Sequence, residues 1–136
     1  GGLTYDDLAD DSSSWGNYMD VDFPVAEGNK YAISSNYTLG EWADVPENYT
    51  KPSYSSSGNG VLLSIGATER NSKMNIYDLA GNLYEWTLEK STYTSSPCAY
   101  RGGNFFNSGS SLPASSRLDY STSNSYGFIG FRPALY

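Results

Sequence analysis

Residues 75–86 read Asn75-Ile76-Tyr77-Asp78-Leu79-Ala80-Gly81-Asn82-Leu83-Tyr84-Glu85-Trp86, and this stretch decides how the chain folds. Ile76, Tyr77 and Leu79 form an apolar lead-in, Ala80-Gly81-Asn82 turns, and Leu83 to Leu88 leads out as an aromatic-rich strand. Gly81 permits the positive φ that a tight turn needs, and Asn82 tolerates it next best. Asp78 and Glu85 flank the turn, which sets two carboxylates and a bend of free carbonyls around one small volume. That arrangement suits a hard cation with oxygen ligands, Ca²⁺ foremost. It equally suits a strand-entry turn whose Asp caps local N–H groups, and spacing alone leaves both readings open. Near the C-terminus Ile129-Gly130-Phe131-Arg132 reads as the strand that answers this turn.

Working outward, composition sets bounds. A chain of 136 residues is long enough for one domain and one core. Hydrophobic residues are only 38% of it, but 13 are Tyr, so Tyr and Trp must build much of both core and surface. The net charge of −7 argues against binding nucleic acid through its phosphates. No apolar run approaches the ~20 residues needed to span a bilayer, so membrane insertion is not expected. Gly1-Gly2 reads as the start of an excised piece of something longer. One Cys and no His leave no intrachain disulfide, no histidine catalysis and no zinc cluster. Residues 1–50 carry ten acids against Lys30 alone, a net of −9, and the usual meaning of such a run is a solvated face.

Ahead of the turn, Thr4 is a fair N-cap with Asp7 three residues on, so a short helix is expected over Thr4 to Leu8. Ser12-Ser13-Ser14 ends it, and Trp15-Gly16-Asn17-Tyr18 reads as an aromatic plug. Short strands broken by Pro24 and Gly28 are expected over residues 20–33. Residues 38–60 read as loop pinned by Trp42 and Tyr54. Val61 to Ile65 is a compact apolar run and reads as a buried strand. After the turn, Ala99-Tyr100-Arg101 reads as a strand, and Gly102-Gly103 lets backbone pass close to something bulky, with Trp86 the expected neighbour.

Residues 104–128 carry one acid and one base, with Ser, Asn, Gly, Tyr, Phe, Leu and Thr making up most of the rest. They show no sustained period yet lie between two strand signals. Long loops in compact domains are functional or disordered, and Phe105, Phe106, Leu112, Leu118, Tyr120 and Phe128 argue against disorder. Tyr, Ser, Gly and Asn are the residues of paratopes, where flat rings give contact area and small polar groups adapt their hydrogen bonds. The composition favours a binding surface over a passive loop.

Three ordered motifs, Asp78-Leu79-Ala80-Gly81-Asn82-Leu83-Tyr84-Glu85-Trp86, Arg101-Gly102-Gly103 and Gly130-Phe131-Arg132, resemble the C-terminal part of the formylglycine-generating enzyme (sulfatase-modifying factor) family. The match covers roughly residues 68–136. The resemblance implies an α+β, C-type-lectin-like fold over a single domain, residues 1–136, here with little helix and much loop. It also implies a structural Ca²⁺ held by the Asp78 and Glu85 carboxylates and the Gly81 and Leu83 carbonyls. The family's oxidase chemistry needs two cysteines after Arg-Gly-Gly; here those positions are Asn107 and Leu112, and Cys98 precedes the motif. A non-catalytic protein is therefore expected. Sugar binding of the C-type-lectin sort is not expected either, because Val45-Pro46-Glu47-Asn48 has the wrong order of ligands.

Within that family the chain resembles the variable proteins of diversity-generating retroelements, whose hypervariable segment lies between the Arg-Gly-Gly and Gly-Phe-Arg strands. The resemblance makes residues 104–128 the candidate variable segment, on a platform anchored by Trp86, Arg101 and Phe131. It gives Phe105, Phe106, Asn107, Ser111, Leu112, Ser116, Leu118, Asp119, Tyr120, Asn124, Tyr126 and Phe128 as display positions. The expected partner is a protein or cell-surface receptor on a host, the expected location a phage tail or bacterial cell surface. A structural or homo-oligomerisation domain is the alternative.

Overall fold

The computed structural model describes residues 2–73, 76–123 and 125–132; Asn75, at the head of the deciding stretch, and Asn124, one expected display position, lie outside the described residues. One short helix, α1 (Tyr5–Ala9), opens the chain. Thr4 caps it, accepting from the Asp7 N–H at 3.2 Å while the Asp7 carboxylate accepts from the Thr4 N–H at 2.8 Å, the reciprocal capping box expected from the sequence. Then come β1 (Phe23–Pro24), β2 (Lys30–Ser35), β3 (Thr38–Leu39), β4 (Ala43–Asp44), β5 (Thr50–Lys51), β6 (Gly60–Leu63), a 3₁₀ turn (Glu69–Asn71), β7 (Ser72–Lys73) and β8 (Ile76–Tyr77). The C-terminal half supplies β9 (Tyr84–Lys90), β10 (Cys98–Arg101), β11 (Arg117–Tyr120) and β12 (Ile129–Phe131).

The expected α+β, C-type-lectin-like class is corrected by this inventory. Among the described residues the only α-helix has five residues, and the remaining regular structure is short antiparallel and mixed strands. The fold is β-rich. Physically, no segment after α1 combines a helical apolar stripe with good helix formers; Ser, Gly, Asn, Thr and Tyr dominate instead, and these favour turns and strands.

Two four-stranded sheets organise the chain. β2 pairs with β3, β4 and β6, and the second sheet runs β11-β10-β9-β12, antiparallel except for the parallel β12–β9 pair. All four residues of β6 are buried, as the apolar run suggested. Val61 and Leu63 face a cluster with Phe23, Val25 and Val45, while Leu62 faces Phe105 and Phe106. Its expected end is corrected, since Ile65 is exposed. Three short strands interrupt the loop expected over 38–60, and Trp42, expected to pin it, is half exposed.

With few apolar residues, the interior is tied together by buried amides. Asn82 is the hub. Its Nδ2 donates to Leu63 O at 3.0 Å, and its Oδ1 accepts from Leu63 N–H at 3.0 Å and from Asn17 Nδ2 at 2.9 Å. Asn17 Nδ2 also reaches Val61 O at 2.9 Å, and the Asn82 N–H donates to Asn17 O at 2.8 Å. The turn thus imitates a strand beside β6 and locks the two halves together. Gly81 and Asn82 do take the positive φ expected of them, +68° and +57°. At Gly81 the demand is double, because a Cβ there would lie 2.3 Å from Asn17 O. The aromatic plug holds as well: Trp15 and Tyr18 are buried against Ala80. The bulky neighbour of Gly103 is Tyr18 rather than Trp86, with no room for any side chain: a Cβ would sit 2.4 Å from the Tyr18 ring.

Lys51 is fully buried, its Nζ donating to Tyr18 O, Val21 O and Pro52 O at 2.7, 2.6 and 3.2 Å. Phe23 lies between two cations, Lys51 Nζ at 5.2 Å and the Arg70 guanidinium at 4.5 Å from the ring centre.

Burial raises the Tyr18 and Tyr84 phenols far above their ordinary value of 10.0. A raised folded value means their stabilisation is fully present below pH ~10 and is lost as pH climbs beyond it, because the unfolded chain ionises first. Tyrosinate absorbance is therefore expected to include a late cooperative step, coincident with loss of strand circular dichroism, in which the buried rings ionise. A single smooth titration with the fold intact would contradict that burial.

Candidate functional site

The second sheet has two unlike faces. Register pairs Tyr100 with Trp86 and Leu118, and Phe131 with Trp86, so alternation places Tyr84, Trp86, Tyr100, Leu118, Tyr120 and Phe131 on one face. Glu85, Arg101, Arg117 and Asp119 take the other. On that second face Glu89 joins in: its Oε1 accepts from Arg101 Nη2 at 2.7 Å and its Oε2 from Arg117 Nε at 2.7 Å, and Arg117 Nη1 also donates to Asp119 Oδ1 at 2.7 Å. The two guanidinium groups hold the Glu89 carboxyl below the usual carboxylate range. Such a half-exposed network contributes little energy by itself but fixes the register of β9, β10 and β11.

The aromatic face continues past the sheet. Ring centroids step from Trp86 to Tyr100 (5.7 Å), Tyr100 to Tyr120 (5.9 Å), Tyr120 to Tyr126 (5.5 Å) and Tyr126 to Phe128 (4.7 Å, stacked). From Phe128 the series runs down to Phe106 (5.1 Å) and out again to Tyr37 (5.2 Å). Each such contact is worth about 0.5–1.5 kcal/mol beyond burial, so the ladder stiffens the loop that carries its upper rungs. The Tyr120 and Tyr126 hydroxyls bond each other at 2.7 Å. Tyr126 and Tyr37 are exposed, while Trp86, Tyr120 and Phe128 are half-buried. The geometry offers rings standing on an edge strand beside solvent.

The expected display positions divide in two. Phe105 and Phe106 are 2% and 6% exposed, beneath Leu62, so they support the surface instead of forming it. Asn107 is also structural: its Oδ1 accepts from Tyr84 Oη at 2.7 Å and from Asn104 N–H at 3.1 Å, and its O accepts from Met19 N–H. Residues 104–115 are stitched to the N-terminal segment by Ser12 N–H to Gly109 O (3.2 Å), Ala114 N–H to Ser12 Oγ (2.9 Å) and Ser115 N–H to Leu8 O (2.9 Å). Ser111 is exposed on that stitched arm, and Leu112 and Ser116 are half-buried. Leu118, Asp119 and Tyr120 on β11, with Tyr126 and Phe128 after it, are the set brought to one edge, though Asp119 points to the ionic face. Of the expected anchors, Arg101 holds through Glu89 and Ser115 O, but Phe131 is 79% exposed and anchors nothing.

The turn expected to hold Ca²⁺ is spoken for by protein donors. Asp78, buried, accepts from Gly66 N–H at 3.1 Å and Asn71 Nδ2 at 3.2 Å, and burial raises its pKa. Glu85 Oε1 accepts from Arg132 Nε at 2.9 Å and from Arg132 Nη2, which also donates to Asp78 O at 3.3 Å. No group of three His, Cys, Asp or Glu that would hold a metal occurs among the described residues. Ca²⁺ takes six to eight oxygens, and here the Arg132 guanidinium already supplies the positive charge beside Glu85. Of the expected set Asp78, Gly81, Leu83 and Glu85, the two carboxylates are thus already engaged by protein donors, and a Ca²⁺ would have to displace Arg132 from Glu85. Chelation with EDTA is expected to leave the melting temperature unchanged; a clear drop would restore the cation.

Sequence reasoning missed Tyr37, which reaches the ladder from the opposite half of the chain. The available signal was Asn36-Tyr37 between two short polar strands, a two-residue hairpin turn.

Comparison with curated proteins gave no match, nor did comparison with solved structures. The family model for the sulfatase-modifying factor enzyme 1-like domain matches residues 12–135, nearly the whole sequence, N-terminal half included. The chain belongs to the sulfatase-modifying factor enzyme 1-like domain family.

Proposed function

We propose that this chain is a non-catalytic display module, which binds a protein or cell-surface receptor on a host through the aromatic edge of its second sheet. The observation that carries the proposal is the unbroken ring ladder from Trp86 through Tyr120 and Tyr126 to Phe128, standing on a sheet whose reverse face is fixed by Glu89, Arg101 and Arg117. Rigid aromatic groups over a pre-organised frame are what binding surfaces use, because little entropy is lost when they are covered. Against catalysis stand the lack of His and the single Cys98, with Asn107 and Leu112 where the resemblance places the cysteine pair. The reading is supported by the resemblance, in which the diversified segment of a phage-tail or bacterial-surface protein lies between the Arg-Gly-Gly and Gly-Phe-Arg motifs, as residues 104–128 do in this sequence.

A paired change, Tyr120→Ser with Tyr126→Ser, tests this. Each removed anchor is expected to cost about 2 kcal/mol of binding, so adhesion of the labelled domain to host cells falls by well over tenfold while light scattering shows an unchanged mass. A change of mass on substitution would instead favour a structural or homo-oligomerisation role for the same rings.

A further inference from the structure

Between the β2–β3 hairpin and residues 125–128 lies a cleft of about 330 Å³, with Phe106 and Phe128 in its floor, Tyr37 on one wall and Tyr126 on the other. The size is at the low end for small-molecule sites. Among the described residues its lining holds no Asp, Glu, Lys or Arg, although the chain carries 23 such residues. Thr38 and Ser125, both exposed, are the lining residues whose hydroxyls are not already engaged by a named partner, those of Ser34, Tyr37 and Tyr126 being bonded to Gly58 O, Ser57 and Tyr120.

Tyr37 is held there at a cost. Asn36 and Tyr37 have φ of +48° and +63°, the signature of a two-residue type I′ turn, in which Asn-Gly is the favoured pair. A bulky side chain in the left-handed region is strained, and strain of this kind persists where the side chain has a use. The ring stays 56% exposed beside the cleft, meeting Phe106 edge-on at 5.2 Å, lying over Gly58 and bonding the Ser57 hydroxyl through its own at 2.9 Å.

We propose that the cleft is a subsite for a neutral sugar ring, with Tyr37 as its wall from outside the 104–128 segment. A pyranose presents apolar C–H faces, which pack on aromatic rings, and a rim of uncharged hydroxyls, which pair with Thr38 and Ser125. A charged ligand would lose its hydration here without gaining an opposite charge. The inference deepens the display reading by naming a ligand class for one part of that surface, and rests on it. It needs no cation.

Titrating the ¹⁵N-labelled 136-residue protein with methyl glycosides of glucose, galactose, mannose and N-acetylglucosamine tests it, with a proline-rich peptide as the competing probe. At least one glycoside is expected to shift the amide signals of Tyr37, Ser125, Tyr126 and Gly127, saturating in the millimolar range typical of one ring with few hydrogen bonds. Tyr37→Gly, which keeps the turn by creating the favoured Asn-Gly pair, is expected to weaken binding more than tenfold, and Tyr126→Ser, on the opposite wall, should weaken binding likewise. A silent glycoside series, shifts that survive both substitutions, or shifts with the peptide alone would overturn the sugar assignment. Failure here leaves the cell-adhesion loss in Tyr120→Ser with Tyr126→Ser intact, so the ligand class and the display role fail separately.

Discussion

Asn82→Ala is expected to remove most of the stability of the domain, about 3–5 kcal/mol of a total that for single domains is about 5–15 kcal/mol. The substitution strips both hydrogen bonds from the Leu63 peptide and one from Asn17, all in a site where Asn82 is 3% exposed. A buried donor or acceptor left without a partner costs about 1–3 kcal/mol. Alanine must also adopt φ of +57°, which adds about 1 kcal/mol. Asn82→Gly separates the two effects: it relieves the backbone and leaves the hydrogen bonds lost, so it should fall between wild type and alanine. Urea unfolding monitored by Trp fluorescence measures the series. A loss under about 1 kcal/mol for Asn82→Ala would mean that the turn does not join the halves of the chain.

Lys51→Met is expected to cost a similar amount, about 3–5 kcal/mol, because three buried carbonyls lose their shared donor. Methionine fills the volume and relieves the burial of the charge, so the loss measures the carbonyls. Burial pushes the ammonium down to about 8, from 10.5, and the neighbouring Arg70 adds to the shift. With the folded value depressed, the folded protein releases the proton first as pH rises above 8. Unfolded chains then bind more protons, and stability rises with pH by up to about 1.4 kcal/mol per unit until the ordinary value is reached. The neutral amine keeps two N–H donors for the carbonyls. Wild type and Lys51→Met should therefore diverge in stability between pH 8 and pH ~9.5, before the tyrosines titrate. A gap that stays constant over that interval would show that Lys51 does not titrate in the fold.

Local chemistry was legible in the sequence where a signal and its structure lie within a few residues. Thr4 and Asp7 made their capping box, Gly81-Asn82 turned with positive φ, and residues 84–88, 99–101 and 129–131 formed strands. Long-range amide pairing was not legible. Asn17, Val61 and Asn82 meet across 44 and 65 residues of chain, and nothing in an Asn marks it as a cross-link. The same limit explains Gly103, whose neighbour Tyr18 lies in the other half, and Tyr37, which faces Tyr126 and Phe128 across the cleft. Residues 104–128 have one composition but two fates, because stitching to Leu8, Ser12 and Met19 buries the first half while β11 and its successor stay at the edge. The helix-poor outcome follows from a chain whose one good capping signal stands at its start. At the Asp78–Glu85 pair the sequence did not show Arg132, 47 residues from Glu85, which enters the turn only in three dimensions.

The central claim is that a fixed frame presents exchangeable side chains at one edge. Sequencing many independent copies of the coding region from its source tests it most directly. The account predicts substitutions concentrated at Ser111, Ser116, Leu118, Asp119, Tyr120 and Tyr126, with Gly103, Phe105, Phe106 and Asn107 constant. Copies that vary evenly along the chain, or not at all at the edge, would contradict it.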